Sequence, residues 1–507
     1  MNAGNILKEK SALQPDHVLL TDNGRDFTYR EINALANQFA NFFNSKNIKK
    51  GDRIALQIFN SVDFVIIYSA VIRIGAIVVP IGISLTAREV NEILSDCDPV
   101  LFVRHSSING PEMLLFGNEI LVLNDDEIST TGTARHIINY SNEFRIAEVE
   151  WNDPLGILYT SGTTGAAKGI LLSHGNIISN MKAAQTCYQT TANDSTILFL
   201  PLSHCFGLNA ILNCIIYSGA SMHILRKFTL DALYKILRDE NITVFFAVPF
   251  IYHLLLKKLA DDSIFNNTSY FFSAASKLAL ETERTWFQRF GKPIYQGYGL
   301  TETSPFSTYA ERGDYSEGSV GIPVEGVEIK IVDENREALP INHTGEIAIK
   351  GPNVMLGYYN KPEITKSVVE DGWFYSGDIG YLNETNSLFI VDRIKDMIIV
   401  RGENVYPSEV ENVIMELPFV EEVAVYGVVT EMHEEMVKAR IVLKTPMPGY
   451  LETIIEYCKK NLANYKLPQQ IDIVDTIPKS AAGKHLKRIM REEDRLEAAD
   501  KKQLKAS

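Results

Sequence analysis

From Tyr159 to Gly169 the chain reads Tyr-Thr-Ser-Gly-Thr-Thr-Gly-Ala-Ala-Lys-Gly. A run of this kind can hold an anion. Gly162, Gly165 and Gly169 let the backbone approach a phosphate closely, the hydroxyls of Thr160, Ser161, Thr163 and Thr164 add donors, and Lys168 adds a positive charge. The apolar residues 155–158 before it read as a buried strand, and a helical pattern begins near Ser173. The nucleoside-triphosphatase loop places Gly-Lys-Ser/Thr after four intervening residues, whereas here two alanines separate Gly165 from Lys168. On spacing alone, a phosphate loop and a solvated Gly/Ser/Thr linker stand level.

Further strings follow in order: Pro201-Leu202-Ser203-His204, Tyr295 to Thr303 (Tyr-Gln-Gly-Tyr-Gly-Leu-Thr-Glu-Thr), Tyr375-Ser376-Gly377-Asp378, Asp392-Arg393-Ile394-Lys395-Asp396, and Pro478 to Lys484 (Pro-Lys-Ser-Ala-Ala-Gly-Lys). Together with the first run they resemble the adenylate-forming superfamily of acyl- and aryl-CoA synthetases, peptide-synthetase adenylation domains and luciferases. The motifs are closest to those of the acyl- and aryl-CoA ligases, and the resemblance covers essentially the whole chain.

The resemblance implies a role for each matched position. The Thr-rich loop and Lys168 would hold the β- and γ-phosphates of ATP. Glu302, beside Thr301 in the catalytic string, would bind Mg2+, since a hard cation bridging phosphates needs only one or two protein carboxylates. Tyr298 would stack on adenine, with Gln296, Gly297 and Ala275 around the nucleotide. Asp378 would accept both ribose hydroxyls, and Arg393 would make a second ribose or phosphate contact. Lys484 would bond the attacking carboxylate and the α-phosphate, and Lys395 would be the hinge of a C-terminal domain that rotates between half-reactions, exchanging Lys484 for the loop at 400–404. Taken singly, Glu302 reads as a surface residue, Tyr298 as a core tyrosine, the Gly377-Asp378 pair as a turn and His204 as a structural histidine. Two departures from the family stand out: Ala167 where proline is usual, and Ser273-Ala274-Ala275-Ser276 where relatives are richer in glycine.

The acid pocket is read from neighbouring positions. His204 matches the residue that gates the carboxylate. Amino-acid-activating relatives carry an Asp just after it, where this chain has Cys205; a thiol cannot match a carboxylate as partner for a buried ammonium, so an α-amino acid is not expected. Phe206, Ala210, Phe250 and Gly297 would line an apolar wall, with Ala210 and Gly297 leaving room for an aryl or medium-chain fatty acid and a larger residue at 297 shortening the acid accepted. Ile399 occupies the place of a lysine found in luciferases, which disfavours oxygenation. The expected activity is ATP-dependent carboxylic acid–CoA ligation through an acyl-adenylate. Loading of a carrier protein's phosphopantetheine arm is the alternative, and a non-catalytic adenylate-binding scaffold the third reading.

Composition bounds these readings. At 507 residues, two to four domains are expected, and 46% hydrophobic residues mark a globular chain. A net charge of -14 disfavours a nucleic-acid surface. The five cysteines show no metal spacing, which fits reduced thiols and a cytoplasmic location. No apolar signal region opens the chain. The most hydrophobic window, 64–83, is broken by Arg73, Gly75 and Pro80 and reads as a buried helix and strand, so no integral membrane segment is expected.

The elements follow from pattern. Thr28-Tyr29-Arg30-Glu31 and Thr86-Ala87-Arg88-Glu89 are capping boxes. Short apolar strands near 197–200, 242–246 and 270–272 alternate with helical segments, which predicts an α/β fold with mostly parallel sheets. The large N-terminal domain, 1–394, is expected to include a β-rich lobe at about 319–392. A small, mobile α+β domain is expected over 395–507, its charged tail after Arg488 a solvated helix or frayed end.

Overall fold

The computed structural model describes residues 2–108, 118–123, 137, 139–161, 167–400, 403–429, 435–444, 449–479 and 485–506, with side chains to residue 496 except that of Ser161. A seven-stranded sheet runs, edge to edge, Gly357–Tyr358, Ala167–Ser173, Pro154–Ser161, Ile77–Pro80, Arg53–Gln57, Leu101–His105, Glu119–Leu123. From Pro154–Ser161 onward its pairs are parallel, while the first two pairings are antiparallel. Both capping boxes are present, at the starts of the helices Tyr29–Ser45 and Ala87–Cys97. The hydrophobic window forms the fully buried helix Val62–Arg73 and the buried strand Ile77–Pro80. Among the described residues no helix is long and apolar enough to cross a membrane.

A second sheet orders Val244–Ala247, Tyr270–Ser273 and Ile294–Gly299 in parallel, then adds Phe306–Tyr309 and Ile322–Pro323 antiparallel. Its helix Leu280–Phe290 docks through Trp286, whose ring meets Tyr252, Phe271 and Phe290 at centroid distances of 5.0, 5.1 and 4.3 Å. The β-rich lobe is an antiparallel sheet of Glu328–Val332, Gly345–Lys350, Trp373–Leu382, Val369–Glu370 and Leu388–Arg393.

Past the short turn Ile394–Asp396 a separate apolar core begins, from Ile398 and Val400 through Val423 and Ile441 to Cys458. It is built on Val420–Val429, Glu435–Leu443 and Gln470–Ile473.

Two expectations need correction. The phosphate-loop run has strands on both sides, and the helix begins where the pattern placed it, with Ser173 as N-cap of His174–Tyr188. The correction concerns the arms: Ser161 pairs with Ala167 and Thr160 with Lys168, so the described parts of the motif are two antiparallel strands rather than loop. Nor is the charged tail solvated along its length: the helix Lys487–Ala506 seats Met490 fully buried beside Tyr426, and Asp494 binds Tyr426, Lys438 and Arg440 at 2.8 Å each.

Candidate active site

The strand Ile294–Gly299 carries the adenine string to the end of the second sheet and then turns sharply. A Cβ on Gly299 would lie 1.6 Å from the Pro305 carbonyl oxygen, so only glycine permits this approach. The turn presents Thr301 and Glu302 in a short 3-10 segment. Two strings distant in sequence meet there. The Tyr298 hydroxyl donates to Asp378 Oδ2 at 2.8 Å, and Arg393 Nε donates to Asp378 Oδ1 at 2.8 Å. Asp378 pairs with Arg393 across adjacent antiparallel strands, which fixes this contact by register. The Asp378 carboxylate raises the guanidinium pKa further, so Arg393 stays charged. An ionised carboxylate has about four lone-pair sites, so Asp378 keeps capacity for further donors such as vicinal hydroxyls.

Glu302 is held from another side. Its Oε1 accepts the Tyr358 hydroxyl at 2.9 Å, and the Lys168 ammonium lies 5.4 Å from the centre of the Tyr358 ring. The strand Gly357–Tyr358 pairs with Ala167–Ser173, while Met355 N–H donates to the Glu302 carbonyl at 2.8 Å. One short segment thus joins the arm bearing Lys168 to the turn bearing Glu302. Sequence reasoning missed Tyr358: it lies 56 residues from Glu302, beyond any local pattern.

Whether Mg2+ fits can be judged from the donors. Among the described residues there is no cluster of three or more His, Cys, Asp or Glu groups that could hold a metal. A single half-buried carboxylate at Glu302 suits a cation held chiefly by phosphate oxygens and water.

On the acid side, the Phe206 N–H donates to His204 Nδ1 at 3.2 Å, which puts the proton of the neutral ring on Nε2. Cys205 is buried, takes an N–H from Asn209 at 3.2 Å, and has its thiol pKa pushed up by burial, so it stays neutral. The residues 206–213 form a π-helical segment, a form frequent at functional sites. Ala210 is fully buried along it.

The expected room at Gly297 is absent. A Cβ there would lie 2.6 Å from Phe272 Cζ, so the space is already taken by an aromatic ring. Phe250 is 37% exposed, with the Lys479 ammonium 4.5 Å over its ring. Ala275 sits at φ +76°, a left-handed conformation that favours glycine, so the segment keeps a glycine-like backbone without the glycine. Gln296 is buried and donates to Glu283 Oε2 at 3.2 Å, and Lys395 lies exposed in the turn Ile394–Asp396. Gly162, Thr163, Thr164, Gly165 and Lys484 lie outside the described residues, as does the side chain of Ser161; Thr160 is half-buried on the first arm.

With this geometry in place, comparison decides the family. A model of the AMP-binding enzyme family matches residues 7–359, and one of the AMP-binding enzyme C-terminal domain matches 409–484. The chain belongs to the AMP-binding enzyme family. A long-chain-fatty-acid–CoA ligase of Escherichia coli is 30% identical over 97% of this chain and 94% of its own length. An oxalate–CoA ligase of Arabidopsis thaliana is 32% identical over 96% and 97%. Among solved structures, ATP-bound MatB from Rhodopseudomonas palustris superposes with a TM-score of 0.89 at 30% identity, covering 97% of this chain and 99% of that one. The anthranilate CoA ligase AuaEII with anthranoyl-AMP gives 0.91 at 25% identity, covering 98% of each. As an AMP-binding enzyme the chain has the large N-terminal and small C-terminal domains of these adenylate-forming neighbours.

Proposed function

We propose that this AMP-binding enzyme is an AMP-forming acyl-CoA synthetase. A carboxylate oxygen attacks the α-phosphorus of ATP, the bond to pyrophosphate breaks, and the thiolate of coenzyme A then attacks the acyl carbon and expels AMP. The observation that carries this reading is the joining of Tyr298, Asp378 and Arg393 to the turn at Glu302, Tyr358 and Lys168, a ribose-and-base side continuous with a phosphate side. In this reading Asp378 takes the ribose hydroxyls, Tyr298 meets the base, and Lys168 with the Thr-rich run takes the terminal phosphates. Glu302 with Thr301 would hold Mg2+, which when bound offsets charge on the phosphates. The half-buried His204 closes the carboxylate entrance. Lys484 would bring positive charge to the α-phosphate in the first step only, and the division into 1–394 and 395–507 with Lys395 between them would let the smaller part move. Preorganised charge of this kind commonly lowers such a barrier by a few kcal/mol per donor.

The neutral, buried Cys205 supports an acid without an α-ammonium, because a buried unpaired cation would cost several kcal/mol. The test is a panel of alkyl, aryl and amino acids, scored for AMP and thioester with coenzyme A, with a phosphopantetheinylated carrier protein, or with neither. Thioester on coenzyme A is expected. Transfer only to the carrier would favour the carrier-loading alternative, and no AMP with any acid would return the chain to a nucleotide-binding scaffold. A cytoplasmic location and a place in fatty-acid metabolism remain part of the same proposal.

A further inference from the structure

The two strands that carry Thr160 and Lys168 are held from the face opposite those residues. Successive side chains of a strand point to opposite faces, so Tyr159 and Gly169, each one position away, share the other face. They are register partners, and the Tyr159 ring covers Gly169 so closely that a Cβ there would lie 3.0 Å from its Cζ. The Tyr159 hydroxyl donates to Asp96 Oδ2 at 2.6 Å, a length typical of a bond to an ionised carboxylate. Gly169 in turn accepts the Tyr359 N–H at 2.7 Å, and two residues beyond Tyr359 the Lys361 ammonium lies 3.3 Å from Asp96 Oδ1. The contacts close into a circuit, from Asp96 through Tyr159, Gly169, Tyr359 and Lys361 back to Asp96. Thr160, Lys168 and Tyr358, which binds Glu302, are each the sequence neighbour of a member of that circuit.

Asp96 is the member that comes from elsewhere in the fold. It sits in the last turn of the helix Ala87–Cys97, where the negative end of the dipole disfavours a carboxylate. What offsets that position is the pair of donors it meets there, Tyr159 and Lys361. A side chain with one acceptor would serve one of them, whereas the two carboxylate oxygens serve both. Tyr159 belongs to the strand pair and Lys361 to the segment after Tyr358, so this one residue ties the two together. The ribose-and-base residues Tyr298, Asp378 and Arg393 hang on other strands, outside the circuit.

We propose that Asp96 is a positioning residue for the terminal phosphates of ATP, locking the strands that bear Thr160 and Lys168 to the segment that bears Tyr358. It rests on the reading that gives those residues the terminal phosphates, and adds to it a side chain that acts only through Tyr159 and Lys361. With the circuit open, ribose and base would still find their partners, while the β- and γ-phosphates would be held loosely. Asp96 therefore matters for ATP and not for AMP.

The experiment measures the Kd of Mg2+-ATP and of AMP by titration calorimetry. It uses the full-length wild type, Asp96→Ala, Asp96→Asn, Tyr159→Phe, and Asp96→Ala combined with Tyr159→Phe. Asp96→Ala should raise the Kd of Mg2+-ATP by about ten-fold, the scale of one lost hydrogen bond to a charged group, and leave that of AMP within about two-fold. Tyr159→Phe should do the same alone and add little in the double variant, as partners in one interaction do. Asp96→Asn still accepts the Tyr159 hydroxyl and should fall between wild type and Asp96→Ala. Should Asp96→Ala not fold, Tyr159→Phe and Asp96→Asn carry the same comparison. A folded Asp96→Ala with wild-type affinity for Mg2+-ATP overturns the proposal. So does one that weakens ATP and AMP equally, which is what a merely structural residue would do. A wild type that binds neither nucleotide is a different result: it removes the adenylate-forming reading itself, and this proposal with it.

Discussion

The Tyr358 hydroxyl can be removed without disturbing the strand that carries it, because pairing of Gly357–Tyr358 with Ala167–Ser173 uses only backbone. A hydrogen bond to a charged group contributes about 1.5–3 kcal/mol. Tyr358→Phe should therefore weaken Mg2+-ATP use by about ten-fold or more, seen as a raised ATP KM at limiting Mg2+ with the acid KM unchanged. Glu283 gives a prediction with a defined sign. Burial pushes its carboxyl from 4.5 to about 7, although Gln296 and the Gly318 N–H donate to it. Between those values the folded state keeps a proton that the unfolded chain has released, so stability falls as pH rises from 4.5 to about 7 and levels off above. Glu283→Gln should remove that slope, worth about 1.4 kcal/mol for each pH unit over which the two states differ, in chemical unfolding at a series of pH values. A pH profile identical to wild type would mean Glu283 is ionised in the fold. Neither residue was legible beforehand. Asp378, Arg393 and Glu302 sit inside strings whose order carries information, whereas Tyr358 and Glu283 act across folded distance, where sequence spacing is silent.

Among elements, the helix Lys487–Ala506 shows why composition misled. Its run of Lys, Arg, Glu and Asp reads as a solvated face, yet Asp494 is buried against the cations Lys438 and Arg440, which lie on a strand some fifty residues earlier. Charge marks a surface only when no partner is folded against it. Removing Asp494 takes one carboxylate from each cation but leaves Lys438 with Asp472 and Arg440 with Glu493, so the cost is that of lost hydrogen bonds to charged groups, about 1.5–3 kcal/mol. Asp494→Ala should accordingly destabilise the C-terminal unit on that scale, measured by urea unfolding. A loss of under about 1 kcal/mol would indicate a surface-like pair. The strand pair was obscured for a different reason. Gly169 reads as a loop residue but sits mid-strand, where a Cβ would press on Ile157 and Tyr159 at 2.7 and 3.0 Å. Glycine there serves close approach within a sheet. The capping boxes, by contrast, were fully legible, because both partners lie within one turn.

At the scale of the whole molecule, the largest hydrophobic cores of the described residues lie on either side of the turn Ile394–Asp396. They meet through contacts such as Lys257 with Glu421 and Lys479 over Phe250. Partly exposed pairs of these kinds contribute at most about 1 kcal/mol each, so a change of relative orientation is opposed only weakly by them. A matched pair of variants tests this. Lys484→Ala should lower adenylate formation by ~100-fold or more and spare thioester formation from supplied acyl-adenylate. Lys395→Pro should do the reverse, because proline fixes φ near −65°. Measuring pyrophosphate exchange and thioester yield separately decides it, and equal losses in both steps for either variant would rule out alternation.

Trp286 in its nest of rings has a practical bearing on such measurements. With Trp151 and Trp373 it completes the tryptophans of the chain, all of them ahead of Lys395, while the C-terminal part carries tyrosines such as Tyr426 and Tyr457. Emission excited at the red edge of the absorption band therefore reports one body only. A fluorescence melt can look like a single clean transition after the smaller body has already come apart, and its midpoint should differ from that of far-ultraviolet dichroism, the signature of a chain that is not two-state.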